Sequence, residues 1–248
     1  MMKKLFAIVM ALLSGLGLYA QPIGGSNDVF PGANDAKTVI LRKATFGAPE
    51  WMSEDARYIC GLYGSESGFV YDFEKDTCLV FLEYDVAGYV SPNHYVGYWF
   101  TYYNGAFTQL LNKDNPEDYS VSAQAVQGNC NKIVTMVYDS YTTASGLTKH
   151  MNHAAIHDGK TGQHLFSLPY AWPVPEDDEA KLRFGSRGDC ISGDGAIVGG
   201  HSTNLKAFSN WSLAFWDISD PDDIKTFGFG SEYGFSDQAF RFGSFYGA

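Results

Sequence analysis

Histidine and acidic side chains gather between residues 150 and 164: His150, His153, His157, Asp158 and His164. Imidazole and carboxylate groups are ligands for zinc or copper, so this stretch is the first candidate for metal chemistry. The backbone decides whether they converge. On a helix His150, His153 and His157 would share a face; on a strand His153 and His157 take one face and His150 the other. The Asp158-Gly159 turn and the surrounding β-formers favour the strand. The spacing is not that of His-Glu-x-x-His or another dedicated site. These histidines therefore read as solvated or packing residues, and no metal or cofactor is expected.

Other reactive groups are sparser. Glu83 and Asp85 are a carboxylate pair of the kind glycoside hydrolysis uses. The aspartates of 217–223 lack the order of an EF-type calcium loop. Ser53 and Ser192 sit in turn-like segments without a histidine partner, and the chain has no Gly-x-Ser-x-Gly elbow or phosphate loop. Residues 192–196 approach the sialidase Asp-box, Ser-x-Asp-x-Gly, but Gly195 stands one position early. No catalytic residue is assigned. The candidate binding residues are Tyr98, Trp99, Tyr102 and Tyr103, with Tyr95 nearby, whose rings can stack on apolar sugar faces; the competing reading is packing between elements.

Such side chains need elements to hold them, and the chain supplies these as a repeat. Ser53-Glu-Asp-Ala-Arg-Tyr-Ile-Cys-Gly61 and Ser192-Gly-Asp-Gly-Ala-Ile-Val-Gly-Gly200 share Ser, an Asp two positions later, a short apolar run and Gly at the eighth position after Ser. Each is followed by an aromatic-Asp pair, Tyr71-Asp72 and Trp216-Asp217. A recurring turn, strand, loop and strand is the mark of a repeat architecture. The aspartates can hydrogen-bond the turn, the glycines allow a bulge or a close backbone approach, and Tyr71 and Trp216 can pack between repeats.

Apolar runs at 58–63, 69–73 and 78–82 form the first unit, joined by turns at 64–68 and 74–77. A second unit starts near Val90-Ser91, with strands at 95–98 and 99–103 and an Asn104-Gly105 hairpin turn. A third starts near Val121-Ser122 and runs through 132–138, 154–157 and 164–168. An acidic, proline-bearing loop at 169–186 precedes a fourth, which opens at Ile191-Ser192 and has strands at 196–200, 213–217 and 224–229. Val39-Ile40-Leu41 reads as a further short strand.

The Ser-Gly-Asp-Gly-x-x-Val-x-Gly form of 192–200, followed by Leu213-Ala214-Phe215-Trp216, resembles the extracellular repeats of the HAF family. Trp216-Asp217-Ile218-Ser219-Asp220-Pro221 is similar to the Asp-Ile-Ser-Asp-Pro segment of LVIVD-type β-propeller repeats. The resemblance covers the first and fourth units well and the middle ones thinly. It implies an all-β fold: a β-propeller-like array of about four blades over 38–248, with a sandwich or split sheet as the alternative. The Gly/Phe-rich tract up to Ala248 reads as part of a further unit, so the array is expected to be incomplete, the N-terminal piece of a longer chain.

The first 20 residues read as a cleaved signal peptide: Lys3 and Lys4, an apolar stretch from Leu5 to Leu18, then Ala20 before Gln21. Residues 21–37, rich in Gly, Asn, Asp and Pro, form a flexible lead-in segment. No later segment is apolar enough for a transmembrane span. The net charge of −11 disfavours nucleic acid and anionic membrane surfaces as partners. Gly at 27 positions and 16% aromatic residues fit strands and tight turns better than helices. The cysteines Cys60, Cys78, Cys130 and Cys190 contain no Cys-x-x-Cys pair, and Cys60 with Cys78 could bridge neighbouring strands. The expected function is a secreted, non-catalytic repeat domain at the cell surface or outside the cell, binding an extracellular protein or polysaccharide. The alternative is an exported glycan-active hydrolase on the same scaffold.

Overall fold

In the computed structural model, which describes residues 49–63, 67–81, 85–112, 121–204 and 211–229, the two Ser-x-Asp segments are one turn built twice. The Ser53 hydroxyl donates to Asp55 Oδ1 and the Ser192 hydroxyl to Asp194 Oδ1, each at 2.6 Å. Tyr58 N–H and Ile197 N–H donate back to those hydroxyls, both at 2.9 Å. Arg57 N–H and Ala196 N–H donate to the aspartates at 3.0 Å. The residue after each aspartate is left-handed, Ala56 with φ 57° and Gly195 with φ 71°. A third copy lies at Gln127–Lys132. There Gln127 N–H donates to Lys132 O at 2.9 Å, Asn131 N–H to Asn129 Oδ1 at 2.9 Å, and Cys130 has φ 57°.

Each turn joins the first two strands of a four-stranded antiparallel sheet. Blade 1 is β1 (Pro49–Met52), β2 (Tyr58–Tyr63), β3 (Ser67–Asp72) and β4 (Thr77–Phe81). Blade 2 is β5 (Val86–Ser91), β6 (His94–Gly97), β7 (Phe100–Tyr103) and β8 (Ala106–Gln109), its first turn shortened to Pro92-Asn93. Blade 3 is β9 (Ser122–Val126), β10 (Lys132–Thr142), β11 (Thr148–Asp158) and β12 (His164–Ser167). A short helix, α1 (Asp178–Lys181), interrupts the acidic loop before blade 4: β13 (Ser186–Ile191), β14 (Ile197–Thr203), β15 (Trp211–Asp217) and β16 (Lys225–Phe229). The sheets are arranged as a four-bladed β-propeller, with β5 packed between β1 and β9, and β9 against β13.

Register shows why the glycines recur. The first strand of every blade carries a bulge, at Glu50, Ala87, Gln124 and Asp189. Opposite the residue before each bulge stand Gly61, Gly97, Thr135 and Gly200. A Cβ on Gly200 would lie 2.1 Å from Arg187 O, so the backbones meet too closely for a side chain.

One row of cross-strand partners runs through each blade: Met52-Ile59-Tyr71-Cys78, Tyr89-Tyr95-Tyr102-Phe107, Val126-Ile133-His157-His164 and Ile191-Val198-Trp216-Thr226. In blades 2 to 4 the inner members of the row pack on the preceding blade. Tyr89 and Tyr95 meet Cys60 and Val70 of blade 1; Val126 and Ile133 meet Val96 of blade 2; Ile191, Val198 and Trp216 meet Val134, Ala154 and Ile156 of blade 3. Blades 1 and 3, opposite each other in the ring, are bridged at the turn end of β1. There Trp51 Nε1–H donates to Val126 O at 2.8 Å and Glu54 N–H to Gly128 O at 3.1 Å.

Several boundaries differ from the sequence reading. Blade 2 begins at Val86 rather than Val90, and blade 4 at Ser186 rather than Ile191, because the bulges break the alternation that marks a strand. The strand expected at 99–103 starts at Phe100, since Tyr98-Trp99 forms the preceding turn. Cys60 and Cys78 belong to clusters on opposite faces of blade 1 and none of the four cysteines is in a disulfide, so the bridge considered between that pair is not made. Residues 1–48, Glu83 and the tract 230–248 lie outside the described residues.

Candidate binding surface and axial carboxylates

The four aromatic residues expected to bind are divided by register rather than gathered. Tyr102 belongs to the blade 2 row. Its ring stacks on Tyr95 at 4.7 Å and meets Phe107 at 4.7 Å, with Tyr95 on Tyr89 at 6.2 Å and Tyr89 against Tyr58 of blade 1 at 5.0 Å. Tyr103 points to the other face, edge-on to His94 at 5.0 Å and under the ammonium of Lys160 from blade 3 at 5.4 Å. Tyr98 and Trp99 sit at the opposite end of the blade, their rings edge-to-face at 5.0 Å. Their carbonyls are fixed by Ala123 N–H at 2.8 Å and Leu110 N–H at 2.9 Å.

Exposure separates the packing rings from those presented to solvent. Tyr89 is 2% exposed, Phe107 55% and Trp99 56%. The row thus begins in the core and ends at the rim, where Leu79 of blade 1 is also exposed. Phe107, in β8, is a surface residue that sequence alone does not separate from its strand neighbours. Its signal was the spacing of 89, 95, 102 and 107, which has meaning only once the register is known.

The histidine cluster resolves into separate structural roles. His150 Nδ1 meets the Ser140 hydroxyl at 3.1 Å, on the face of β11 away from His153 and His157, as the strand reading required. His153 places Nδ1 2.5 Å from Asp139 Oδ2 and Nε2 2.7 Å from Leu168 O, under the stacked ring of Tyr170 at 4.4 Å. Burial works against the charge of Asp139, but hydrogen bonds from His153 and Tyr170 bring its carboxyl below the ordinary range. His157 is buried between Thr135 and Leu111 O, and His164 meets it edge-on at 5.3 Å. No group of three or more metal-binding side chains is brought together among the described residues.

A second set of groups lies along the inner strands. Glu50 stands at the bulge of β1, and Asp85 immediately precedes β5, the inner strand packed against β1. Burial raises both carboxyl groups above their usual range, and the charge of Asp85 raises Glu50 further. Asp85 Oδ1 is buried without a hydrogen-bond partner among the described residues. At the equivalent bulge of blade 4, Asp189 is held by Arg187 Nε at 2.7 Å and His201 Nδ1 at 2.6 Å. No protein-family model matches the chain, and no curated protein matches it in sequence.

Proposed function

We propose that this chain is an exported, non-catalytic binding module whose blades present aromatic side chains to an extracellular protein or polysaccharide. The observation that carries the reading is the pair of exposed rings on blade 2, Trp99 and Phe107, each mounted on packed neighbours. Leaving such rings in water forgoes about 25 cal/mol per Å² of burial, which a sugar face or a partner's apolar side chain recovers on contact. The net charge of −11 favours a neutral or basic ligand. The histidines, whose ring nitrogens are used in structural hydrogen bonds, argue against a nucleophilic centre. Export rests on the Lys3-Lys4, apolar and Ala20 pattern; no helix among the described residues is long and apolar enough to cross a membrane. The repeats are proposed to be akin to HAF and LVIVD-type repeats on the strength of the 192–200 and 217–221 turns.

A second reading, an exported glycan-active hydrolase, is favoured by Glu50 and Asp85, neighbouring carboxyl groups whose burial suits one of them to proton donation. Titration of the purified chain against neutral and basic polysaccharides, with product analysis, separates the two. The first reading expects saturable binding without turnover, weakened about tenfold or more in Trp99→Ala or Phe107→Ala. Turnover that disappears in Glu50→Gln or Asp85→Asn would replace it with the second. Binding unchanged in both aromatic variants would remove the aromatic surface from the account.

A further inference from the structure

Of the chain's six histidines, three stand at the seam between blades 2 and 3: His94 from β6, and His157 and His164 from the row of blade 3. Two of them cross the seam in opposite directions. His157 Nε2–H donates to Leu111 O, at the exit of blade 2, at 2.8 Å. His94 Nε2–H donates to Gly159 O, in the last turn of blade 3, at 3.0 Å, and the Thr101 hydroxyl shares that carbonyl. Gly159 lies tightly against blade 3's first turn: a Cβ there would stand 1.7 Å from Cys130 O, and its N–H donates to Asn131 O at 2.8 Å. Both rings are out of solvent, His157 at 0% and His94 at 7% exposure.

The flanking seams are built from other groups. Blades 1 and 2 meet through Cys60, Val70, Val86 and the tyrosine rings. Blades 3 and 4 are tied by Trp216 to Pro169 O, Ala154 N–H to the Ser186 hydroxyl and Gln127 to Gly193 O. We propose that the seam between blades 2 and 3 is an acid-operated joint, in which proton uptake by His94 and His157 parts these blades while the seam between blades 3 and 4 stays closed.

Electrostatics at the two rings supports this. His157 faces Thr135, Leu111 O and His164, a group that can only add like charge. Burial lowers it to about 4, and His164 acts in the same direction. On protonation the Thr135 hydroxyl can turn its proton to Ala155 O, 3.3 Å away, and accept from the ring. The penalty is therefore the buried charge rather than a lost hydrogen bond. His94, edge-on to Tyr103, is lowered first by burial and also by Lys160, while the backbone carbonyls of Gly159 and Cys130 and the charge of Asp158 offset part of the shift. In the open state both rings are hydrated and titrate near 6.5, so acid favours opening.

Amide hydrogen exchange of the full chain at pH 7 and pH 4.5, corrected for intrinsic rates, tests the joint. Ala123 N–H, which crosses to Tyr98 O, reports the blade 2–3 seam; Ala154 N–H, bonded to Ser186, reports the blade 3–4 seam. The opening constant at Ala123 is expected to rise by up to about tenfold per pH unit for each histidine below about pH 6.5, with Ala154 left behind. The double variant His94→Gln/His157→Gln, which retains N–H donors but does not titrate, should lose that pH dependence. Equal loss of protection at both seams, or none at Ala123, would overturn the proposal even if the double variant fails to fold.

Discussion

Trp216 and His157 occupy the same place in consecutive blades and make the same bond. Trp216 Nε1–H donates to Pro169 O, just past blade 3, at 2.7 Å; His157 Nε2–H donates to Leu111 O, just past blade 2, at 2.8 Å. Both side chains are the third member of their blade's row, and both are fully buried. A ring N–H in the third strand, fastened to the exit of the preceding blade, is thus a repeated device of the fold.

Removing Trp216 should be among the costliest single changes. Trp216→Ala leaves a large void between blades 3 and 4 and is expected to lower stability by about 3–5 kcal/mol in denaturant unfolding. Trp216→Phe keeps most of the ring but strands Pro169 O, for a loss of about 1–3 kcal/mol. Equal, small losses for both would show that this seam does not depend on the indole.

The pH dependence of stability follows from His157. Its folded value, about 4, lies below the unfolded value near 6.5, so the unfolded chain takes up the proton first. The stabilisation is complete above about pH 6.5 and lost as pH falls toward 4, amounting to about 3 kcal/mol over that window. Denaturant titrations from pH 7 to pH 4 should show this decline, and His157→Gln should flatten part of it.

The repeated turn offers a gain as well as a loss. Ala56 holds φ 57°, where a Cβ is unfavourable, so Ala56→Gly should raise stability by up to about 1 kcal/mol. Gly195 holds φ 71° and faces the amide of Gln127, with which a Cβ would collide at 2.8 Å; Gly195→Ala should destabilise by more than that gain. Thermal unfolding of the two variants should move in opposite directions.

Thiol reactivity should follow burial. Burial raises the Cys60 and Cys130 thiols well above their usual range, whereas Cys78 is only half-buried. An alkylating reagent on the native chain, read by mass spectrometry, should modify Cys78 well before Cys60 or Cys130.

The parts legible in sequence were those where the turn itself dictates residue type. Ser53 with Asp55 and Ser192 with Asp194 announce the first and fourth blades because hydroxyl and carboxylate together close that turn with side-chain hydrogen bonds. Asp72 and Asp217 announce the later turn of the same blades, each accepting from N–H groups two or three residues on. The third blade keeps this geometry with Gln127, Asn129 and Cys130 in the first turn, and with Thr135 where the others have glycine, so its likeness lies in the backbone. His157-Asp158 is its version of the aromatic-Asp pair, so a histidine stands where the other blades carry Tyr71 or Trp216. Inner strands such as Ser186–Ile191, with Arg187, Gly188 and Asp189 around a bulge, have no alternation to read. The division of Tyr102 from Tyr103 depends on facing, and the exposure of Phe107 on how far blade 1 reaches; neither is a local property of the chain.

The most direct measurement of the account is indole N–H exchange by NMR, with each tryptophan assigned by substitution to Phe. Trp51, bonded to Val126 O across the ring, and Trp216, bonded to Pro169 O across a seam, should exchange slowest, with Trp99 exchanging orders of magnitude faster. Trp51 and Trp216 exchanging as fast as Trp99 would contradict a ring of blades packed row against blade.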